Sequence, residues 1–423
     1  MNLNTPVKLQ LFYSKREILY FLLILLGILS INLGVKFYEL KEFRAKNYAF
    51  YDAQILNAYA KTNERGRTYT VLKLKTADFT LYTTAGLGRE FHRFARINIG
   101  IVTKNVKFLD FLKQRFYAPN FKIGDELAPS GAKWRAISFV RAQHEDEMTA
   151  DLYSALYFAT EISKPLRASV TNWGIAHIIS ISGFHLGIIF STVFLLAMPI
   201  YRYFQDRYFP YRSAKRDLSV FVIVLMSGYL FVLDFTPSFL RSLVMCCVGF
   251  YLAMRNFYVL KFTNLFLTIA LLLAFFPHLA FSIGFYFSCL GVLYIFLYLH
   301  HFAPKFKLWQ NVILFNLYVW LSMNAAVYYF FPTASLQQLS VMPLGYVFVI
   351  FYPLSIFLHL FGLGGALDTP LLAFLNFTLP SFQAQIPPLL FALANICALA
   401  AIKLRYAALG CAIIGISPIF FIT

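Results

Sequence analysis

Charged side chains are scarce in this sequence. Asp, Glu, Lys and Arg make up 13% of the 423 residues, whereas hydrophobic residues make up 59% and the mean hydropathy is +0.64. Soluble domains contain about 25% charged residues, so this composition excludes an ordinary soluble globular protein. Acidic residues are the rarer of the two signs, because 19 Asp and Glu oppose 37 Lys and Arg. The sequence therefore indicates a basic membrane protein.

Cysteine is also scarce, and its placement excludes two kinds of structure. The five cysteines fall within or beside apolar runs, and their spacing suggests neither a disulfide framework nor a zinc knuckle. No glycine-rich loop ends in Lys-Ser or Lys-Thr, although such a loop is the usual cradle for ATP phosphates. We therefore expect no bound metal, no cofactor and no ATP site.

Apolar runs long enough to cross a membrane are abundant. A helix needs about 20 mainly apolar residues to cross a hydrocarbon core about 30 Å thick. The first run follows Lys8, Lys15 and Arg16 and has no small-residue cleavage site after it, so we interpret it as an uncleaved anchor. On these criteria we predict about ten transmembrane helices, at residues 19–35, 174–201, 219–233, 239–254, 262–276, 280–299, 312–331, 341–363, 389–402 and 406–422.

Short loops rich in Lys and Arg mark the cytoplasmic side of a membrane. The loop 202–217 contains five basic and two acidic residues, so we place it and the basic N-terminus in the cytoplasm and residues 36–145 outside. Alternation of the spans then puts Lys403 and Arg405 outside, which is unfavourable. A re-entrant or interfacial passage through residues 366–383 would restore the expected alternation.

A basic segment, residues 36–145, interrupts the apolar runs. It contains 20 Lys and Arg against 10 Asp and Glu, and so supplies +10 of the formal net charge of +18. Leu72 and Leu74 alternate there with Lys73 and Lys75. Such period-two alternation is typical of a half-buried strand.

The same alternation recurs further along this segment. Ile97, Ile99 and Ile101 share one side of a predicted strand, opposite Arg96. These strands predict a small, mostly antiparallel β-barrel outside the membrane. An amphipathic helix is predicted after it, because four apolar residues recur at helical spacing: Phe108, Phe111, Leu112 and Phe116.

A basic barrel that carries aromatic residues favours an anionic partner. Lys73, Lys75 and Arg96 are suited to contact phosphates, while Tyr69, or alternatively Tyr82 or Phe94, offers a face for stacking bases. That combination is typical of single-stranded nucleic-acid binding. In the alternative interpretation, the basic surface faces anionic lipid and the aromatic residues form the core.

The segment AHIISISGFHLG, residues 176–187, places polar side chains inside a predicted span. On a continuous helix His177, Ser180 and His185 form one polar stripe. Polar groups within a bilayer are costly unless they face partners or a watery cavity, so this stripe favours a channel lining. The alternative is that these side chains only form hydrogen bonds between helices.

Two kinds of chemistry are disfavoured for the same segment. Two histidines eight residues apart with no third ligand nearby do not make a zinc site. A nucleophilic Ser182 would need a base, but Ser182 and His185 share one helical turn, which is poor geometry for proton transfer. Gly183 and Gly187 form a small-xxx-small pair that permits close helix packing.

Two further polar segments lie at predicted membrane positions. In DFTPSFLRS, residues 234–242, Arg241 falls one turn into a span, where an isolated charge costs about 2.5–3.5 kcal/mol. Its candidate partners are Asp234, a polar pore lining or a phosphate. In FPHLAFSIGFYFS, serine and glycine follow a proline turn, and the alternative to a pore lining there is close helix packing.

In order and spacing, these segments resemble the ComEC family, the inner-membrane DNA channel of bacterial natural transformation. Family members carry a stretch of the form HLLAISGLHVG, matched here by HIISISGFHLG from His177. A PSxLR element follows in the family, matched by PSFLR from Pro237, and then a GFQLS element, matched by GFYFS from Gly284. The departures are Phe184 for Leu and Tyr286 for Gln, so any role of that glutamine does not transfer.

The resemblance covers most of the chain from Lys46 to Leu363. It implies a polytopic α-helical membrane protein with an N-terminal extracytoplasmic OB-like β-barrel. We expect the cytoplasmic N-terminus and first transmembrane helix at 1–35, the periplasmic basic OB-like domain at 36–120, an amphipathic connector at 121–173 and the polytopic channel domain at 174–423.

The resemblance also implies a function, a location and partners. We expect a multi-pass channel of the bacterial inner membrane, N-terminus cytoplasmic, that passes single-stranded DNA into the cytoplasm. Its expected partners are single-stranded DNA, a periplasmic DNA receptor protein, a cytoplasmic motor or single-strand-binding proteins, and the lipid bilayer; a homodimer stays open. The predicted DNA-binding residues are Tyr69, Lys73, Lys75 and Arg96. The predicted channel-lining residues are His177, Ser180, Ser182, Gly183, His185, Asp234, Ser238, Arg241, Ser282 and Ser288.

Many relatives end in a metallo-β-lactamase-like domain proposed to degrade one DNA strand. The metal-binding His and Asp cluster of that domain does not occur in this sequence. We therefore predict a short form without nuclease activity, and no enzyme. Relatives can also hold a disulfide in the OB-like domain, whereas residues 36–145 contain no cysteine.

Energetics limits the mechanism independently of the family. Moving one phosphate charge into a negative-inside cell costs about 2.3 kcal/mol per 100 mV. Without an ATP site, we expect a passive or proton-coupled conduit, with the strand pulled by a motor or trapped by binding proteins. Two alternatives stay open: a small-solute or lipid transporter, which should show inverted repeats, and an intramembrane serine hydrolase that uses Ser182.

Overall fold

The structure is a computed structural model, which describes residues 9, 11–64, 66–86 and 88–421. Lys8 of the predicted cytoplasmic N-terminus and Ile422 of the last predicted span lie outside the described residues. The chain divides into two compact units. We call them the sheet unit, which comprises Ser14–Phe139 and Ala270–Ser282, and the helical unit, which comprises the described residues 9, 11–13, 140–269 and 283–421.

The chain is mostly helical. The helices are α1 (Lys15–Ala45), α2 (Phe108–Leu112), α3 (Ala132–Arg141), α4 (Glu147–Phe158), α5 (Lys164–Trp173), α6 (Ala176–Ile179), α7 (Gly183–Tyr208), α8 (Ala214–Val232), α9 (Pro237–Met254), α10 (Phe262–Phe275), α11 (Ile283–His301), α12 (Leu308–Phe330), α13 (Val341–Leu360), α14 (Asp368–Asn376), α15 (Pro388–Ala400) and α16 (Arg405–Ile414). The strands are β1 (Tyr48–Thr62), β2 (Thr68–Lys75), β3 (Thr80–Ala85), β4 (Arg96–Val102), β5 (Arg115–Tyr117), β6 (Asn120–Leu127), β7 (Thr333–Ser335) and β8 (Ser381–Gln383).

The sheet unit is built on a six-stranded sheet with the order β5-β3-β2-β1-β4-β6. The long strand β1 pairs with β4 along its first half and with β2 along its second half. All neighbouring strands are antiparallel except β3 and β5, which are parallel. The mostly antiparallel sheet is therefore confirmed, whereas its closure into an OB-like barrel stays a prediction.

Period-two alternation decides which side chains form the core of this unit. Leu72, Leu74, Ile97 and Ile99 are all buried, as predicted from their spacing. They cluster with Phe43 from the last turn of α1. Because the core draws on the end of α1, this helix is part of the sheet unit as well as a candidate membrane span.

The amphipathic helix predicted after the strands is shorter than expected. α2 ends at Leu112, and Gln114 adopts a left-handed backbone conformation with φ 54°, which ends a helix in the usual way. Phe116 instead lies on β5, where it pairs with Leu81 and is buried. The prediction that Phe116 belongs to this helix is therefore wrong, because pairing with β3 outweighs the helical spacing.

A short 3-10 turn, Pro277–Phe281, belongs to the sheet unit. Burial lowers the pKa of His278 in this turn, and the positive charges of Lys36 and Arg115 lower it further. Since the ordinary histidine pKa is about 6.5, His278 is neutral at pH 7 and adds no charge to that basic neighbourhood.

Six helices in the described part of the chain are long and apolar enough to cross a membrane. They are α1, α7, α9, α12 and the longer stretches that contain α11 and α13. Of the remaining predicted spans, α8 has three charged residues in its first turn, directly after Ala214. α10, α15 and the α16 region are apolar helices of 10–17 residues. Because such helices reach about 15–25 Å, less than the hydrocarbon core, the number of about ten spans stays a prediction.

Contacts near the C-terminus indicate on which side of the membrane the loop with Lys403 and Arg405 lies. His301 Nε2 lies 2.8 Å from the carbonyl oxygen of Ala401, and the Arg405 guanidinium lies 5.8 Å from the Phe302 ring centroid. Arg405 therefore lies at the same end of the helical unit as the basic turn after α11. The simple alternation of spans would have put these two segments at opposite ends.

The segment between α12 and α15 accounts for this arrangement. β7 pairs with β8, and Ala384 donates its backbone N–H to the carbonyl oxygen of Pro332 at 2.7 Å. The intervening chain, which contains α13 and α14, therefore leaves and returns to one place and makes no net crossing. The structure thus favours a re-entrant passage, with α13 included in it.

This arrangement predicts the sidedness of three positions in membrane vesicles. In a cysteine-free background, we expect Lys305→Cys and Lys403→Cys to react with a membrane-impermeant thiol reagent from the same side. Ser381→Cys should react from the other side, because α12 and α15 each run from one end of the helical unit to the other. Reaction of Lys403→Cys together with Ser381→Cys would contradict the re-entrant passage.

Candidate functional site

The helix predicted through residues 176–187 is interrupted. α6 ends at Ile179, Ser180 is extended with ψ 121°, and Ser182 caps α7 by accepting a hydrogen bond from the Phe184 backbone N–H at 3.3 Å. Serine hydroxyls compete with helical hydrogen bonds in this way and favour N-caps. The prediction of one continuous helix is therefore wrong.

The interruption separates the three residues of the predicted polar stripe. His177 and Ser180 are exposed, and His177 Nδ1 lies 3.2 Å from the carbonyl oxygen of Gly174. His185, in the first turn of α7, is completely buried. The stripe does not form, because the backbone turns between α6 and α7.

The three polar segments singled out in the sequence meet at this break. The Ser238 hydroxyl donates to the carbonyl oxygen of Ile181 at 2.7 Å, which joins the start of α9 to the break. A Cβ added at Gly183 would lie 2.6 Å from the Ser242 hydroxyl oxygen, so only glycine permits this approach. The site therefore combines the beginnings of α7 and α9.

Arg241 extends the site to α11. Its Nε donates to the Ser288 hydroxyl at 2.7 Å, and its Nη2 donates to the Ser242 hydroxyl at 2.7 Å. Among the residues that the structure describes, Nη1 has only the weak acceptor Met245 Sδ at 3.5 Å. The Arg241 side chain is held by hydroxyl groups from two helices although the residue is only 4% exposed.

No carboxylate pairs with Arg241 in the described part of the chain. Asp234, its predicted candidate partner, is exposed in the turn before α9 and adopts φ 52°. Burying an unpaired charge costs several kcal/mol, and guanidinium carries five N–H donors. The surroundings of Arg241 are therefore suited to an anion with free oxygen acceptors.

His185 contributes a second unsatisfied donor. The Ser182 backbone N–H donates to His185 Nδ1 at 3.3 Å, so the ring hydrogen of a neutral His185 is on Nε2. That nitrogen is buried and has no hydrogen-bond partner among the described residues. Because the imidazole contacts the Ser182 backbone instead of its hydroxyl, the arrangement of a serine nucleophile with its base is not formed.

Ser282, another predicted lining residue, is not part of the helical unit. It belongs to the sheet unit, where its backbone N–H donates to Leu279 at 3.0 Å and closes the 3-10 turn. Ser242, in contrast, was not among the predicted residues. Ser242 follows Ser238 by four residues, so both lie on one helix face. This spacing could have identified Ser242 as a site residue.

The predicted DNA-binding residues lie on the sheet. Gln54 of β1 pairs with Lys75 on one side and with Arg96 on the other, so these two basic residues share a row and a face about 10 Å apart. Lys73 lies on the same face, 5.7 Å from the centroid of the Tyr82 ring. Three of the four predicted residues are therefore grouped.

Tyr69 lies at the other end of β2. Together with Tyr117, Thr84 and Ala85 it lines an open concavity of about 530 Å³. Phe94, considered as an alternative stacking residue, is buried instead. Of the residues considered for stacking, Tyr69 and Tyr82 are therefore half-buried and accessible, whereas Phe94 is not.

Comparison with known proteins adds one finding. The family model described as competence protein matches residues 158–418, which is more than half of the chain and includes α7, α9 and α11. No curated protein and no solved structure matches the chain.

The close packing at Gly183 predicts a selective loss of stability. Gly183→Ala should lower the free energy of unfolding by about 1–3 kcal/mol, because its Cβ would overlap the Ser242 hydroxyl. Gly187→Ala is the matched control, since no atom of the described residues lies within 4 Å of a Cβ there. Thermal unfolding of the purified protein in detergent measures both; equal effects would show that Gly183 is not confined by α9.

Proposed function

Because the chain belongs to the competence protein family, which indicates a role in DNA uptake, we propose that it passes single-stranded DNA through the bacterial inner membrane into the cytoplasm. In this proposal the helical unit forms the channel and the sheet unit receives the strand. The basic loop 202–217 and the basic N-terminus support a cytoplasmic N-terminus.

The observation that carries the proposal is Arg241. A buried cation held by hydroxyl groups, with no carboxylate partner in the described residues, can bind an anion that arrives and then leaves. Each phosphodiester group of a DNA strand brings one negative charge and free oxygen acceptors. The Ser242 and Ser288 hydroxyls keep the guanidinium in place between successive phosphates.

The sheet unit offers a matching surface for the strand. Lys73, Lys75 and Arg96 provide cations on one face, and Tyr69 lies beside an open concavity. Cationic grooves with stacking aromatic residues bind single strands without strong sequence preference. This surface suits capture of DNA of any sequence from a periplasmic receptor protein.

The driving force is proposed to lie outside this chain. The sequence contains no ATP-phosphate loop, and the membrane potential opposes entry of phosphate by about 2.3 kcal/mol per charge per 100 mV. A cytoplasmic motor or single-strand-binding proteins would therefore pull or trap the strand. The chain itself is proposed to be a conduit and not an enzyme, with a homodimer as one form of the assembly.

Replacing the proposed phosphate-binding residues should abolish natural transformation. For Arg241→Ala we expect a drop in DNA uptake of at least about 100-fold, which corresponds to about 2.7 kcal/mol in barrier. Arg241→Lys should retain part of the uptake, because it keeps the charge but not the forked donors. His185→Ala should also abolish transformation while the protein remains in the membrane at normal level.

Labelled DNA that reaches the cytoplasm is the measurement, with protein level in the membrane fraction measured in parallel. Arg255→Ala is the matched control, because Arg255 is exposed just after the end of α9. Wild-type uptake in Arg241→Ala or His185→Ala would show that the replaced residue has no role in DNA transport.

The basic row of the sheet predicts a change in salt dependence. In the full chain in lipid nanodiscs, Lys75→Ala with Arg96→Ala should weaken binding of a labelled oligothymidylate. The slope of log affinity against log salt should fall by about 0.7 for each phosphate that the variant no longer neutralises. Lys104→Ala, an exposed lysine just after β4, is the control; an unchanged slope in the double variant would exclude this face.

A further inference from the structure

An open crevice lies between α7 and α8, beside the loop that joins them. Its volume is about 370 Å³. The wall from α7 consists of four residues at helical spacing, which share one face of that helix. Apart from one tyrosine hydroxyl, the lining side chains are apolar: Ala197, Ile200, Tyr201, Phe204, Phe209 and Leu218. We call this cavity the α7–α8 crevice.

The length of α7 places this crevice at the boundary of the bilayer. α7 is a candidate membrane span of 26 residues, which corresponds to about 39 Å, whereas the hydrocarbon core is about 30 Å thick. Its charged residues, Arg202, Asp206 and Arg207, all lie near its C-terminal end, so that end extends out of the core. Aromatic side chains such as Tyr201 and Phe204 concentrate at this boundary. The crevice therefore meets both acyl chains and lipid headgroups.

A polar network connects the wall of the crevice to two arginines. The Tyr201 hydroxyl donates to Asp217 Oδ2 at 2.5 Å, and Arg212 Nε donates to the same oxygen at 2.6 Å. Arg216 Nε lies 3.5 Å from Asp217 Oδ1. Tyr201 thus belongs both to the apolar wall and to a charged group at its polar end.

This charged group carries one positive charge in excess, because two guanidinium groups share one carboxylate. The Asp217 side chain is 13% exposed, whereas those of Arg212 and Arg216 are 52% and 51% exposed. Both arginines contact Asp217 through Nε, and their Nη groups have no acceptor among the described residues. Guanidinium Nη groups form paired hydrogen bonds with phosphate oxygens. The network is therefore suited to hold a phosphate at the end of the crevice.

The surrounding loop adds further positive charge. Arg202, Arg207 and Lys215 are exposed and form no ion pair within the part of the chain that the structure describes. The exposed Asp206 opposes them with a single negative charge. Clusters of Lys and Arg beside a membrane span attract anionic headgroups.

The two halves of the site together select the class of ligand. Free phosphate has no apolar part that could fill the crevice, and a zwitterionic phospholipid has no net charge to balance the excess cation. An anionic phospholipid has an acyl chain and a negatively charged phosphate in one molecule. It is also present in the bilayer that surrounds this end of α7.

We propose that the α7–α8 crevice is a binding site for one anionic phospholipid, whose acyl chain lies along α7 and whose phosphate contacts Arg212 and Arg216. The bound lipid neutralises the excess charge beside Asp217 and fills the space between the two helices. The proposal depends on the location of the chain in a membrane and is independent of DNA transport.

Photocrosslinking of the full chain in phosphatidylcholine vesicles tests this proposal. The vesicles contain a small amount of phosphatidylglycerol with a diazirine in its acyl chain, or phosphatidylcholine with the same diazirine. Mass spectrometry compares adducts on peptides that contain Ile200 or Leu218 with adducts on α1, an apolar span that is mostly exposed. After this normalisation, phosphatidylglycerol should label the crevice about fivefold more than phosphatidylcholine does, the ratio expected for one excess cation near an anionic lipid.

One variant tests the charged half of the site, with a matched control. Arg216→Gln keeps the Arg212–Asp217 ion pair but removes the excess charge, so the preference for phosphatidylglycerol should fall to about one. Lys305→Gln removes one exposed cation from the basic turn after α11 and should keep the wild-type preference.

A second variant tests the apolar half. Ala197→Trp fills the crevice without changing its charges, and it should reduce labelling of the Leu218 peptide by both lipids while labelling of α1 stays the same. Equal labelling of the wild-type crevice by the two lipids, or an unchanged preference in Arg216→Gln, would overturn the proposal. A wild-type crevice that neither lipid labels would also overturn it, because a protein segment would then cover the crevice.

Discussion

A break in a helix among apolar side chains leaves backbone groups that need hydrogen-bond partners. The carbonyl group of Ile181 lies at such a break, and the Ser238 hydroxyl donates to it. This bond brings the start of α9 against the start of α7, where Gly183 permits the contact with Ser242. Arg241, one turn further, is then directed to Ser288 of α11. The arrangement of the whole site follows from one buried backbone carbonyl group that the break leaves in need of a partner.

The two buried polar clusters of the helical unit differ in how their charge is balanced. The cluster of His144, His359 and Asp368 contains its own carboxylate, and its contacts are made among its own side chains. Among the described residues Arg241 has only hydroxyl and thioether acceptors, so no neighbouring carboxylate balances its charge. A closed cluster suits a contact that holds two segments together, whereas an unbalanced charge suits a ligand that arrives and leaves.

Features of the fold and site that depend on residues close together in the sequence could be predicted, whereas contacts between distant residues could not. Alternation along single strands identified Leu72, Leu74 and Ile97 as core residues, because burial on one face has a period of two residues. The hydropathy of the long helices likewise indicated a membrane protein. The convergence of PSFLR and GFYFS on the broken helix could be suspected only from the family resemblance. Serine in an apolar run is compatible with a helix interior or with a cap, so the interruption at Ser182 could not be derived from spacing. His144 and Asp368 are 224 residues apart, and only the folded chain brings them together.

The length of α1 has a further consequence for this chain. Its 31 residues form one helix from the Ser14 cap, and Leu40 and Phe43 near its end are buried in the core of the sheet unit. Because a helix turns about 100° and rises about 1.5 Å per residue, the core sets the phase of every earlier turn, including Asn32, which donates to Ala274. An insertion or deletion within α1 would therefore rotate and shift its earlier turns relative to the core of the sheet unit, whereas exchange of one apolar residue for another would not.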